Sequence, residues 1–338
     1  MSLSGRFSCA VSIVPFVSLA ILSGAANASQ ATAPPSATEP TTAPSATAAP
    51  TQQVADDDIL AIQVRLDRAG FSPGEIDGRG GLNTRKALLA FQRARSLTPS
   101  GRAEPETVAA LAADGAAPLT TYVLTEEDLA GPFVPAVPGD LMDQATLPAL
   151  AFTSVLEMLG ERFHGSPRLL QQLNPDAGFD TAGESIVVPN VTPPPPESSG
   201  VPGITVMVSK KESVLTVRSQ DGSTLLHAPV TTGSEHDPLP LGDWAVTSVA
   251  RDPPFHYNPD LFWDADPTHA KATIPPGPNN PVGVVWIDLT HEHYGLHGTP
   301  EPRLIGRAES HGCVRLTNWD ALRVASMVAK GTPVRFIE

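Results

Sequence analysis

The sequence has little cysteine, few basic residues and no long apolar run. Its 338 residues include two cysteines, and one of them, Cys9, lies in a segment that we expect to be removed. The 22 Lys and Arg are outnumbered by 36 Asp and Glu, which gives a formal net charge of −14. Nucleic acids and acidic membrane faces bind clustered Lys and Arg, so the charge balance argues against both as partners. The run Val11–Leu22 is too short for a comfortable membrane span.

The N-terminus has the order of a secretion signal. Arg6 precedes the apolar run, and the small residues 26–28 form a cleavage site. We therefore predict that residues 1–28 are a signal peptide. Its removal takes away Arg6 and no acidic residue, so the net charge changes from −14 to −15. The mature protein is expected to be soluble in the periplasm with no membrane span, and an uncleaved N-terminal anchor is the alternative.

Two connectors divide the remaining chain. Residues 29–53 are almost wholly Ala, Thr, Pro and Ser, with too little apolar bulk to offset the entropy of ordering, so we predict a disordered linker. Residues 192–202 contain four consecutive prolines, which favour a stiff polyproline helix. The chain is therefore predicted to be multidomain, with a break on each side of residues 54–191.

Residues 54–115 have the apolar periodicity of a small three-helix unit, interrupted by the turn-rich stretch 70–78. The pattern resembles the peptidoglycan-binding domain of the three-helix type, in the elements Gln63–Leu66, Gly70–Phe71, Ile76–Gly78, Thr84–Leu88 and Phe91–Gln92. Many of these positions would serve as core and turn residues in any small bundle. The resemblance implies a wall-binding role and names no contact residue.

Residues 121–191 are predicted to be an α+β segment. Helices are expected over Ser154–Phe163 and Pro167–Leu173, followed by a strand over Glu184–Pro189. The second half resembles a LysM glycan-binding module, whose first strand Tyr122–Leu124 would have to supply from a distance. The alternative is a spacer domain that only packs.

Residues 203–338 are predicted to be a mostly β domain. Its expected strands are 204–208, 214–217, 225–231, 244–249, 284–289 and 334–337, with a hairpin turn at Asp221–Gly222 and one helix over 319–328. The Pro-rich stretch 252–281 lacks periodicity and is long for a connector, which favours a functional loop or lid.

Cys313 is the cysteine that remains after signal cleavage. A lone thiol in an oxidising compartment is a liability unless it performs chemistry, so we expect it to be a nucleophile. A thiol nucleophile needs a histidine within hydrogen-bond reach to accept its proton. His311 lies two residues away and His297 lies on a separate strand, and their spacing alone favours neither.

The stretch His297–Thr299, followed by Ser310–Leu316 and Asn318, resembles the signature of the L,D-transpeptidase catalytic domain. The segments Pro238–Gly242 and Gly277–Gly283 also match this family. The resemblance implies that Cys313 is the nucleophile and His297 its base, oriented by the carbonyl of Gly298. It further implies that His311 belongs to the catalytic group and helps to shape the substrate-side pocket, and that Arg315 supports the site or faces a substrate carboxylate. The other implied substrate-binding residues are Ser310, Gly312 and Asn318, with oxyanion donors around Gly312 and Cys313.

The implied reaction is acyl transfer between peptidoglycan stem peptides through a thioester, without a cofactor. The stem peptides and the glycan are the expected partners. Attack by water would make the protein a carboxypeptidase, and attack by a protein amine an anchoring enzyme. Other hypotheses remain open. A zinc site would use His291, His293 and His297; a cysteine peptidase of another fold would use the same Cys–His pair; and a structural wall-binding protein would need no catalysis.

Overall fold

The computed structural model describes residues 59–195 and 200–338. The predicted signal peptide, the linker 29–53, the first residues of the first module and residues 196–199 of the second connector lie outside the described residues. Across the described ranges no helix combines the length and apolarity that a membrane crossing requires.

The first module is a three-helix unit, as predicted. It consists of α1 (Ile59–Arg68), α2 (Leu82–Ala94) and α3 (Pro105–Leu111), packed around Leu66, Phe71 and Phe91. Gln63 of α1 accepts a hydrogen bond from the Gly78 N–H at 2.8 Å and donates one to Asp77 at 3.0 Å. The Gln and Ile-Asp-Gly elements of the sequence pattern therefore meet, and the Gln side chain fixes the turn.

The middle module joins two distant strands. Strand β1 (Leu119–Val123) pairs antiparallel with β2 (Ser185–Pro189), so the first strand is supplied from a distance, as expected. Four helices lie between the strands: α4 (Glu126–Ala130), α5 (Leu141–Gln144), α6 (Val155–Arg162) and α7 (Pro167–Leu173). Both predicted helices are confirmed as α6 and α7. The LysM assignment stays a prediction.

The C-terminal domain is built on an eight-stranded mixed sheet. In chain order the strands are β3 (Thr205–Ser209), β4 (Val214–Arg218), β5 (Thr224–Pro229), β6 (Gly242–Arg251), β9 (Val285–Leu289), β10 (Gly295–His297), β11 (Val314–Arg315) and β12 (Pro333–Ile337). Their spatial order is β11-β10-β9-β6-β12-β3-β4-β5. One helix, α8 (Asn318–Met327), packs its small apolar residues against the buried face of this sheet. The prediction of a mostly β domain with one helix is confirmed.

The Pro-rich stretch 252–281 forms a structured excursion between β6 and β9. It contains a short hairpin of β7 (Phe255–Tyr257) and β8 (Ala272–Ile274), whose apolar residues pack against α5 of the middle module. Between the two strands lies the segment 258–271, which we call the lid tip. The expected long loop is therefore anchored at its base.

Neither edge of the large sheet is left open. Beyond β5, Thr231 exchanges two backbone hydrogen bonds with Arg315 of β11, at 3.0 and 2.9 Å, which joins the two ends of the sheet. The first module covers β5, because His227 exchanges backbone hydrogen bonds with Gly70 and Ser72 at 2.8 and 2.7 Å. Unpaired strand edges favour unwanted association, so this covering protects the edges of the sheet.

A buried ionic cluster joins the three modules. Asp67 of α1 is 1 % exposed and accepts two hydrogen bonds from the Arg323 guanidinium of α8, at 2.9 and 2.7 Å. His164, which follows α6, contacts the same carboxylate at 3.1 Å, and its ring stacks on Trp319. Burial alone would raise the pKa of Asp67, but Arg323 and His164 hold it well below its usual 3.8. The carboxylate is therefore charged and paired.

Removing this carboxylate should destabilise the fold strongly. Asp67→Ala removes both short hydrogen bonds of the buried Arg323 guanidinium and leaves it with the Asp320 carboxylate at 3.6 Å and the Thr192 carbonyl at 3.2 Å, so we expect the free energy of unfolding to fall by about 3 kcal/mol. Urea denaturation followed by circular dichroism measures the change. Asp114→Ala is the control: it removes the partner of Arg68 at a site where the Asp114 side chain is 43 % exposed, and should cost at most about 1 kcal/mol. Equal losses in the two variants would contradict a dominant role for the buried pair.

Candidate active site

The pairing of β10 with β11 brings the predicted nucleophile and base near a common neighbour. His297 pairs with Arg315 across the parallel ladder, so these two residues share one face of the sheet, and Cys313 lies in the bend just before β11. The Arg315 guanidinium acts on the pKa of both His297 and Cys313, so the two predicted residues lie near the same charge. The opposite face carries Leu296 and Val314, which belong to the apolar core.

His297 is held in one orientation. Its Nδ1 donates a hydrogen bond of 2.7 Å to the Gly298 carbonyl, and its ring stacks on Trp286 of β9 with the ring centres 5.4 Å apart. Because Nδ1 carries the proton in that bond, Nε2 is the nitrogen that can accept one. Burial lowers the pKa of His297 from its usual 6.5 to about 3, and the Arg315 guanidinium acts in the same direction. The imidazole is therefore neutral at neutral pH, with Nε2 unprotonated.

Cys313 is the only free cysteine among the described residues, and its side chain is partly accessible. The Sγ of Cys313 contacts the His293 carbonyl at 3.6 Å. Among the described residues, no hydrogen bond joins this Sγ to His297. Burial raises the pKa of the Cys313 thiol above its ordinary 9.0, although the Gly295 N–H and the Arg315 guanidinium favour the thiolate. The resting pair is consequently a neutral thiol beside a neutral imidazole.

The backbone before the cysteine requires glycine. Gly312 has φ of +94°, and a Cβ at this position would lie 2.6 Å from the Tyr294 ring. Any other residue would therefore be strained by its conformation and would collide with that ring.

Two residues predicted to contact substrate lie beneath the site instead. Asn318 is 1 % exposed; its side chain bonds the backbone of Val284 and Pro278, and packs against Gly298. Ser310 is buried and donates to the Cys313 carbonyl at 2.7 Å. These positions do not fit direct substrate contact. Both side chains instead satisfy backbone groups that hold the two reactive residues.

His311 joins the cysteine loop to the lid tip. Its Nε2 is 2.8 Å from an Asp264 carboxylate oxygen, and its ring meets the edge of Phe262. Trp263 of the same lid tip stacks on His236, with the ring centres 4.2 Å apart. His311 therefore faces the open side of the site, where its expected role in shaping the pocket remains a prediction.

The zinc alternative does not match the geometry. Strand β10 begins at Gly295, so His291 and His293 precede it and do not share a strand face with His297. His291 packs against Trp244, and His293 is exposed with φ of +67°. Within residues 59–195 and 200–338 no group of three His, Cys, Asp or Glu side chains is arranged to hold a metal ion.

Three residues that contact the candidate site were not predicted from the sequence: Tyr294 beside Cys313, Trp286 against His297, and Asp264 bound to His311. Burial raises the pKa of Tyr294, and the neighbouring Cys313 adds to this effect, which shows that the two side chains are close. The alternation of β9 carried a signal for Trp286, because it falls between the buried Val285 and Ile287 and must point to the other face. Asp264 had no such signal, since it lies in an aperiodic segment.

Comparisons with known proteins identify two domain families in the chain. The sequence model of the L,D-transpeptidase catalytic domain matches residues 203–336, and that of the "Putative peptidoglycan binding domain" matches residues 55–111.

The curated relatives identify the family. "Putative L,D-transpeptidase YkuD" of Bacillus subtilis is 30% identical over 182 residues, which cover 53% of this chain and 91% of that protein. The protein of the same name from Bacillus licheniformis is 29% identical over 181 residues, with the same shares. The chain belongs to the L,D-transpeptidase family. Since 182 residues do not fit after residue 203, the similarity extends into the middle module.

A solved structure is also similar. L,D-transpeptidase 3 from Mycobacterium tuberculosis, crystallised with a faropenem-derived adduct, is 19% identical and has a TM-score of 0.34. The match covers 46% of this chain and 75% of that chain. A match at this TM-score does not describe the residues of the site.

The protonated state of the resting thiol predicts a pH profile. Only the thiolate reacts with iodoacetamide, so labelling of Cys313 should rise through pH 9 without reaching a plateau below it. Mass mapping of the labelled peptide measures the rate and separates it from Cys9. Arg315→Gln removes a charge that favours the thiolate and should slow labelling at each pH, whereas Arg335→Gln, at an exposed surface pair, should not. A plateau near pH 7 would show that the resting sulfur is already ionised.

Proposed function

We propose that the protein is an L,D-transpeptidase that crosslinks peptidoglycan stem peptides through a thioester on Cys313. The observation that carries the proposal is the neutral His297, held by the Gly298 carbonyl and lying with the Cys313 thiol near the same guanidinium of Arg315. A tethered imidazole with a free Nε2 is what a neutral thiol needs in order to lose its proton during attack. Membership of the family supports the substrate class.

The first half-reaction forms the acyl-enzyme. Sγ turns from the His293 carbonyl toward His297 and attacks the carbonyl of the third stem residue, a diamino acid linked to D-alanine. The thiol proton passes to Nε2, and backbone N–H groups around Gly312 stabilise the oxyanion. The C–N bond then breaks, and the imidazolium returns the proton to the departing D-alanine amine.

The second half-reaction releases the acyl group. An amine of a neighbouring stem attacks the thioester, the C–S bond breaks, and His297 transfers the proton from the amine to the sulfur. Water in the same place yields a shortened stem peptide, and a protein amine yields an anchored protein. The Arg315 guanidinium lies close enough to affect the pKa of both Cys313 and His297, so it supports the site electrostatically.

The first module supports action at the cell wall, and the predicted signal peptide supports export to the periplasm. The match of the first module to a putative peptidoglycan-binding domain supports a chain that both holds the wall and acts on it. Because this module also covers β5, wall binding and the catalytic sheet are linked mechanically in the proposed enzyme.

The test uses tetrapeptide stems and mass spectrometry. The protein should release D-alanine and form a crosslinked dimer of stems, while Cys313→Ala should do neither. Release of D-alanine without a crosslink would favour the carboxypeptidase, and release only with an added protein amine would favour the anchoring enzyme. Should Cys313→Ala retain the reaction, Cys313 is not the nucleophile. If the protein binds purified sacculi but neither releases D-alanine nor forms a crosslink, the result would favour the structural wall-binding protein.

The base can be tested through the residue that orients it. In Gly298→Ala the new Cβ would lie 2.1 Å from Asn318 Oδ1, which must move the carbonyl that holds His297. We expect acylation of Cys313 by a carbapenem, measured by intact-protein mass spectrometry, to slow by roughly a hundredfold. Gly139→Ala is the matched control, because nothing lies within 4 Å of its Cβ. Equal rates in both variants would remove the Gly298 carbonyl from the mechanism.

A further inference from the structure

A cavity separate from the cysteine site lies where the three modules meet. It has a volume of about 180 Å³. That is the space of about six water molecules in the liquid. Its lining comes from all three modules: Glu75 of the first, Glu161 of the middle one, and Trp319, Glu301 and Arg303 of the catalytic domain. The exposed Glu301 and Arg303 lie toward solvent, and the buried Trp319 lies at the inner end.

The inner lining contains polar atoms without partners. Trp319 is 2 % exposed, and its Nε1–H has no hydrogen-bond acceptor. Glu161 Oε1 is also inaccessible and has no donor. Buried polar atoms in native proteins are almost always paired, so two orphans in one cavity call for a missing partner. The cavity thus offers one donor and one acceptor to an occupant.

The carboxylates of the cavity are incompletely neutralised. Burial raises the pKa of Glu161 to about 8, with Glu157 and Glu75 acting in the same direction and a hydrogen bond from Asn318 opposing them. Burial likewise raises the pKa of Glu75 to about 7, although Arg303 and Arg307 oppose this. Glu157 is already engaged, since it accepts hydrogen bonds from Thr153 and Asn279. Glu75 and Glu161 are therefore the carboxylates that would gain most from a bound positive group.

We propose that this cavity binds a zwitterionic α-amino acid group, with its ammonium between Glu75 and Glu161 and its carboxylate toward Trp319 Nε1 and Arg303. Acceptors and donors are both present, which fits a ligand that carries both charges on neighbouring atoms. The net charge of such a group is zero, so its entry costs less desolvation than that of a single ion. The volume of about 180 Å³ also limits the part of a ligand that enters the cavity to a group of about this size.

Two sources supply this chemistry. One is a free amino acid, such as the D-alanine released in the proposed reaction. The other is the far end of a diamino acid side chain in a stem peptide, a source that rests on the proposed function. The site is distinct from the cysteine site, because its lining includes neither Cys313 nor His297.

Calorimetric titration in an amine-free buffer tests the proposal with the full chain. D-alanine and free diaminopimelate are the free probes, and a stem tripeptide ending in diaminopimelate, titrated into Cys313→Ala, is the peptide probe. N-acetyl-D-alanine and D-alanine methyl ester each lack one charge and should bind at least about tenfold more weakly than D-alanine. Binding of the free amino acids identifies the first source, and binding of the tripeptide alone the second.

Variants show whether the binding occurs in this cavity. Glu161→Gln should weaken binding at least about tenfold, because a hydrogen bond to a charged group is lost. Glu75→Gln, at a less buried position, should act in the same direction. Trp319→Phe removes Nε1 while keeping a ring against His164, and should weaken the probes that carry a carboxylate but not the methyl ester. Glu126→Gln, on an exposed helix of the middle module, is the matched control.

The proposal is overturned if no probe binds, which would mean that the cavity holds only water, or if Glu161→Gln binds as tightly as the unaltered chain. Acylation by a carbapenem in Glu161→Gln provides the separate check on the fold and on Cys313. Loss of probe binding with normal acylation supports the cavity site, and absence of acylation with normal binding would count against the proposed function alone.

Discussion

The paired charge of Asp67 and Arg323 is the interaction on which the arrangement of the three modules depends. Asp67 belongs to the first module, Arg323 to the catalytic domain, and the His164 ring between them to the middle module. A buried ion pair contributes little net stability compared with apolar packing, but the loss of one partner is strongly destabilising because the other charge stays buried. Its effect is therefore specificity: the modules can dock in the one arrangement that pairs all three groups.

That arrangement extends to the candidate base through α8. Arg323 lies in α8, and Asn318 begins the same helix. The Asn318 side chain packs against Gly298 so closely that no Cβ would fit there, and the Gly298 carbonyl accepts the hydrogen bond from His297. The orientation of the imidazole thus depends on the docking of a helix that the first module also anchors, through Arg323. The first module and the candidate base are parts of one packed structure, although a Pro-rich connector precedes the C-terminal domain.

The sequence allowed much of the fold to be predicted, because apolar periodicity reports directly on buried faces. The three helices of the first module, six of the eight strands of the large sheet and the α8 helix follow from that signal. The short strands β10 and β11 did not, because two or three residues carry no periodicity. The roles of Asn318 and Ser310 did not follow, since a polar residue next to a motif has the same letter whether it faces substrate or satisfies buried backbone. Asp67 was equally hidden: its partners lie 97 and 256 positions away in the chain, beyond any local pattern.

The resting state of the cysteine also fits the compartment in which we expect the protein to work. Attack on a carbonyl and reaction with oxidants both require the thiolate, so a thiol kept protonated is slow in each. Burial and the His293 carbonyl favour the protonated sulfur, and the low basicity of the buried His297 prevents a resting ion pair. In the proposed mechanism the proton moves only when a bound carbonyl offers Sγ a new bond. The same burial that delays the chemistry therefore protects the one thiol that performs it.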